Sequence, residues 1–113
     1  MEVEFASRDL ESAYLIGREA RRRWGPQCAR IYVRRVNELR AADNLWTFLS
    51  LPLGKPHALR GDRAGQFAVS IHQGQRLIFE PKEPLPPSRA SAREILERVT
   101  DVTVLEVVDY HGR

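Results

Sequence analysis

The apolar residues of this chain change their spacing once, near residue 50, and that change limits the fold more than any other feature. Before it they recur three and four apart: Leu10, Ala13, Tyr14, Gly17, Ala20 and Trp24, then Ala29, Tyr32, Val33, Val36, Leu39 and Ala42. Such spacing lines one side of a helix. After it, Phe67, Val69 and Ile71 alternate with their neighbours, while Leu77, Ile78 and Phe79, and later Val102, Val104, Leu105, Val107 and Val108, form the short apolar runs of strands. Val3 and Phe5 alternate with Glu2 and Glu4 and add a short strand at the start. Helices followed by strands indicate an α+β fold, with a helical hairpin packed on one face of a small, mostly antiparallel sheet.

The punctuation agrees. Ser7 suits a helix cap, with Asp9 and Glu11 in the first turn, and this first helix is predicted to run to Trp24. Gly25-Pro26 stops one helix and starts another, expected from residue 26 to about 49 and ended by Leu51-Pro52-Leu53-Gly54. Residues 55–60 read as a short strand and residues 61–65 as a turn. Residues 66–71 and 75–80 read as two strands joined at Gln73-Gly74, an antiparallel hairpin. Residues 81–90 hold four of the seven prolines and read as a loop. Ser91, with Glu94 three later, caps a short helix, and a last strand is expected from about residue 100 to 110. At 113 residues the chain is one domain, residues 1–113, in which residues 81–100 form an insertion before the last strand.

Composition narrows the function classes. No run approaches the roughly 18 apolar residues of a membrane span. The opening MEVEFAS lacks the basic and apolar parts of a signal peptide, so a cytoplasmic protein is expected. A single cysteine, Cys28, excludes an internal disulfide and a cysteine-rich metal site, and the three histidines are too scattered for a zinc motif. No cofactor is expected. Residues 21–76 carry ten Arg and one Lys against three acids, whereas the segments on either side are net acidic. Arginine's planar fork suits phosphate, so this basic middle points to a polyanion, most simply nucleic acid. A GC-rich genome would also favour arginine over lysine, but it would not cluster the charge.

The segment HALRGDRAGQFAVSIHQGQRLIF, joined to a terminal VVDYH, resembles the HigB-type toxins of the RelE superfamily, also called plasmid-maintenance killer proteins. The shared features are Leu59, Arg60, Gly61, Asp62, Arg63 and Gly65, then Arg76 with Phe79, and finally Asp109-Tyr110-His111. The stretch LRAADNLWTFLSLP, residues 39–52, is similar to that family's second helix and the loop after it. The resemblance implies a RelE-like fold and a metal-independent endoribonuclease that cuts messenger RNA on the ribosome. It also implies a cognate antitoxin carrying a helix-turn-helix domain. A non-catalytic RNA-binding, ribosome-binding or antitoxin-binding module on the same scaffold is the alternative.

The chemistry assigns tasks to these residues. Cutting RNA without metal uses the ribose 2′-hydroxyl as nucleophile, so one group must take its proton, one must bear the phosphorane charge and one must protonate the leaving oxygen. Histidine suits the proton work, and His111 stands where the family motif places its functional histidine. Asp109, two residues away, is expected to share a strand face with His111. Tyr110 is expected on the opposite face, either stacking on a base or lying in the core. Arg76, among Leu77, Ile78 and Phe79, suits charge stabilisation, and His57 matches a histidine of the family's site. Lys55, Arg60 and Arg63 form an expected phosphate-binding rim, joined by His72 in the hairpin turn. Arg21-Arg22-Arg23 reads as a cationic helix end, or as a ribosomal RNA contact. The chain departs from the family pattern at Ser70, where an arginine is usual, at Gln75, where a tryptophan is usual, and at His72, where asparagine is common.

Overall fold

The computed structural model describes residues 1–85 and 91–109. Their elements follow in the order β1 (Glu2–Phe5), α1 (Arg8–Leu15), α2 (Gly17–Trp24), α3 (Pro26–Ala41), α4 (Leu45–Leu49), β2 (His57–Ala58), a 3-10 turn (Gly61–Arg63), β3 (Phe67–Ser70), β4 (Gln75–Pro81), α5 (Ala92–Glu97) and β5 (Asp101–Asp109). The five strands form one sheet in the order β1-β5-β4-β3-β2. Only the β1–β5 pair is parallel; the other three pairs are antiparallel.

Both expected long helices are broken. The first divides at Ile16, whose backbone is extended (φ −121°, ψ 103°) while its N–H still bonds the Ser12 carbonyl. A β-branched residue followed by glycine is a weak pair for continuing a helix, and Leu15 and Ile16 are exposed and gain nothing from doing so. The second ends at Ala42, and Asn44 starts α4 afresh by accepting a hydrogen bond from the Thr47 N–H at 2.9 Å. Gly25, with φ +81°, makes the turn between α2 and α3, and Pro26 opens α3 where no N–H is needed.

The helices cover one face of the sheet. Ala20, Ala29, Tyr32, Val36 and Leu39 meet Phe67, Val69, Leu77, Phe79, Val102 and Val104 in a continuous core. Full burial of the Val, Leu and Phe side chains among these stabilises by about 1.5–3 kcal/mol each. The Phe48 and Phe79 rings meet edge to face at 5.5 Å, and the Tyr32 hydroxyl, deep in the core, donates to the Leu10 carbonyl at 2.7 Å. The insertion packs on the helical layer: α5 lies against α4, Arg93 stands over the Trp46 ring at 5.4 Å, and the Ser91 hydroxyl caps α5 by accepting from the Glu94 N–H.

One irregularity sets the orientation of residues 105–109. Val104 pairs with Phe79 and Glu106 with Ile78, so Leu105 is an extra residue, a β-bulge. Upstream of it the even-numbered Val102 and Val104 face the helices. Downstream, Val107, paired with Leu77, does so instead. Glu106 and Val108 are thereby turned to the other, open face.

Candidate functional site

The open face is built from cross-strand rows, because directly paired residues point the same way. His57 pairs with Ala68, Ala68 with Ile78, and Ile78 with Glu106, giving one row across four strands. Ser70 pairs with Arg76, and Arg76 with Val108, giving a second row. The rows are about 7 Å apart along the strands. Ala68 and Ile78 are fully buried although neither belongs to the helical core. Arg63 explains how. Its guanidinium donates to Gln66 at 2.8 Å and to Glu106 at 3.0 Å, and to reach β5 from the β2–β3 connection it must cross over β3 and β4. The 3-10 turn is thus folded down on the first row.

Arg76 stands in the second row, half-buried, with Nη1 donating to the Ser70 hydroxyl at 3.0 Å. Glu106 is its diagonal neighbour on β5, a spacing of about 7–8 Å that long side chains bridge. An arginine and a carboxylate, the latter already held by a second arginine, therefore stand on the same surface one diagonal apart. His57 is exposed at the far end of the first row, about two strand spacings from Arg76, or on the order of 10 Å. Its Nδ1 lies 2.9 Å from the Lys55 carbonyl. A carbonyl only accepts, so Nδ1 carries the proton and Nε2 is directed elsewhere, available in the neutral ring as a base. Lys55, with φ +48°, and Arg60 are exposed beside this end. His72 lies in the β3–β4 turn, where its carbonyl accepts from the Gln75 N–H.

The structure separates Asp109 from this group. Asp109 pairs with Gln75, not with Arg76, and Gln75 shares the helical face with Leu77. The Cys28 thiol of α3 responds accordingly: burial first, and the Asp109 carboxylate second, push its pKa up to about 11. The bulge at Leu105 advances the alternation by one residue, so the register puts Asp109 on the opposite side from Arg76; the residue it is expected to act with is His111. Tyr110 and His111 lie outside the described residues.

Sequence reasoning missed Glu106. The visible signal was an acid inside an otherwise apolar run, Val104-Leu105-Glu106-Val107-Val108. Strict alternation from Val104 would have placed that acid in the core. Arg35 is a second residue whose place the apolar stripe of its helix does not reveal. It is the one buried charged residue among the described residues, and it donates through Nε to the Ser70 carbonyl at 2.8 Å and through Nη1 to Glu38 at 3.0 Å.

The sequence matches no known family and no curated protein. Its backbone does resemble solved structures. The YoeB–YefM complex from Staphylococcus aureus matches over 98% of this chain and 97% of the other, with a TM-score of 0.58 at 11% identity. A heterotetrameric YoeB–YefM toxin–antitoxin complex from the same organism matches over 98% and 97%, with a TM-score of 0.54 at 15% identity. The YoeB/ParE toxin from Agrobacterium tumefaciens matches over 98% and 100%, at 0.50 and 17%. At such identities the likeness is one of fold, and these structures carry the YoeB name, not HigB. The five-stranded, mostly antiparallel sheet with its helices on one face is the α+β fold of the YoeB/RelE-like toxins.

Proposed function

We propose that this chain is the toxin of a type II toxin–antitoxin pair, an endoribonuclease that cuts messenger RNA on the ribosome without a metal ion and so stops translation. The observation that carries this reading is the shared open face of His57, Arg63, Arg76 and Glu106, in two adjacent rows on a scaffold of toxin fold. Those four side chains supply the base and the charge-bearing groups that phosphodiester transfer needs, and His111 supplies the acid. A carboxylate or neutral imidazole takes the 2′-hydroxyl proton as the O2′–P bond forms. A guanidinium, which does not give up its proton at neutral pH, bears the charge gathering on the phosphorane oxygens. A protonated imidazole returns a proton to the departing O5′ as the P–O5′ bond breaks, leaving a 2′,3′-cyclic phosphate and a 5′-hydroxyl.

In this scheme Arg76 is the charge-bearing group, Glu106 or His57 the base, and His111 the acid. Lys55, Arg60, Arg63 and His72 form the phosphate-binding rim, and Tyr110 stacks on a base. Asp109 acts through His111, by orienting that imidazole, and does not itself touch the phosphate. The partner is a cognate antitoxin of helix-turn-helix type. A furrow of about 410 Å³ between α2 and α3, floored by Ala20, Ala29 and Val33 and walled by Arg21 and Arg30, offers such a partner an apolar track between cations.

The test is cleavage of a defined messenger RNA on purified ribosomes, mapped by primer extension, with wild type, Arg76→Ala and His111→Gln. We expect cleavage by wild type and a fall of about 100-fold or more in Arg76→Ala, on the scale of losing one charge-stabilising donor. Intact messenger at saturating wild-type protein would sink the reading. Salt-sensitive RNA binding without cleavage would leave the binding module in its place.

A further inference from the structure

We infer that Ser70 is a positioning residue for Arg76, fixed in turn by the buried Arg35, so that the orientation of the guanidinium on the open face is set from the helical side of the sheet. This rests on the cleavage reading for its consequence, though not for its geometry. Ser70 stands at the end of β3, where a strand would ordinarily fray, yet three of its polar groups are engaged. Its N–H donates to the Gly54 carbonyl at 2.7 Å, its carbonyl accepts from Arg35 Nε at 2.8 Å, and its hydroxyl accepts from Arg76 Nη1 at 3.0 Å.

The anchors are themselves immobile. Arg35 is 8% exposed and is held by Glu38 from one turn further along α3. Gly54 has φ +77°, and a Cβ there would stand 2.6 Å from Val69 Cγ2 and 2.8 Å from Arg35 Nε. The loop before β2 therefore closes on Arg35 with no side chain between them. On the open face, Ser70 and Arg76 are directly paired, which keeps their backbones about 5 Å apart. A guanidinium is planar with its five N–H donors in a fixed fork, so holding one Nη1 narrows the orientations open to the remaining donors. A long side chain is thereby presented to a phosphate with one of its donors already held.

Two variants of identical shape isolate the hydroxyl: Ser70→Thr keeps it and Ser70→Val removes it, and both are β-branched residues that suit a strand. Arg35 and Gly54 bond to backbone atoms, so those contacts survive either change. The first measurement is side-chain NMR of the free full chain, following the Arg76 Nε–Hε signal assigned by its loss in Arg76→Lys. Wild type and Ser70→Thr should show an equally ordered guanidinium, and Ser70→Val a more mobile one. An equally ordered signal in Ser70→Val overturns the inference. The second is single-turnover cleavage on ribosomes. Ser70→Val should cut about tenfold more slowly than Ser70→Thr with unchanged half-saturation, and should add nothing to Arg76→Ala. An equal further fall in the Arg76→Ala background overturns it, because Ser70 would then act independently of that guanidinium. If wild type does not cleave at all, the cleavage reading fails, while the NMR comparison still decides whether Ser70 aims Arg76.

Discussion

Glu106 concentrates the difference between what the sequence states and what the fold does. It occupies a position that alternation would bury, and it meets Arg63 at 3.0 Å across the open face. The pair is partly exposed, with 36% and 46% of the two side chains accessible, so its share in stability is small, about 0–1 kcal/mol. Its share in chemistry is expected to be larger. Glu106→Gln keeps the shape and removes the proton acceptor. We expect cleavage to drop by about 10²- to 10⁴-fold, the usual range for a general base, with a thermal midpoint within a few degrees of wild type. A rate near wild type in a folded Glu106→Gln protein would give the base role to His57 alone. Arg76 and His57 could be proposed from the sequence because each stands beside a local landmark, Arg76 after the Gly74 turn and His57 before Gly61-Asp62-Arg63. Glu106 was not legible, because its landmark is a bulge that exists only in the pairing of two strands 28 residues apart at Ile78 and Glu106.

At the level of elements, the strands and their order of appearance could be read from the alternation, and the helices from their stripes. The breaks at Ile16 and at residues 42–44 could not be read from periodicity, since the apolar stripe continues through both. Local chemistry offered a weak cue at the first break, Ile16-Gly17, and a stronger one at the second, where Asn44 precedes Leu45 as a capping residue would. Packing decides the rest: α2 must turn to lay Ala20 against α3. The tie between these pieces is Tyr32, fully buried on α3 with its hydroxyl bonded to the Leu10 carbonyl on α1. Tyr32→Phe leaves that carbonyl without its donor. We expect a loss of about 1–2 kcal/mol, measured by urea unfolding with the slope unchanged. An unchanged midpoint would mean that α1 is not fastened there.

For the molecule as a whole, the core carries its own alkaline limit. Burial raises the Tyr32 hydroxyl above its usual pKa, and it raises the Cys28 thiol from 9.0 to about 11, with Asp109 adding to the shift. Both groups are neutral when protonated, and folding favours that form. Their contribution is therefore complete below pH 9 and is lost as pH rises through the folded values. Cys28 alone accounts for about 2–3 kcal/mol of this fall between pH 9 and 11. Thermal unfolding followed from pH 7 to 11 should show the decline, and Cys28→Ala should show a shallower one; parallel curves would refute the linkage. The overall architecture was the most legible level of all, because layers follow from period and one change of period divides this chain. The least legible was which surface each carboxyl-terminal side chain occupies, and there the extra residue at Leu105 has a further consequence. A counterpart lacking it would present the same two surfaces with one residue fewer. Aligning such a counterpart by straight counting from β1's partner strand would assign every later side chain to the wrong surface. Homologous positions in this strand have to be counted back from the hairpin it faces, with Gln75 opposite Asp109 as the origin.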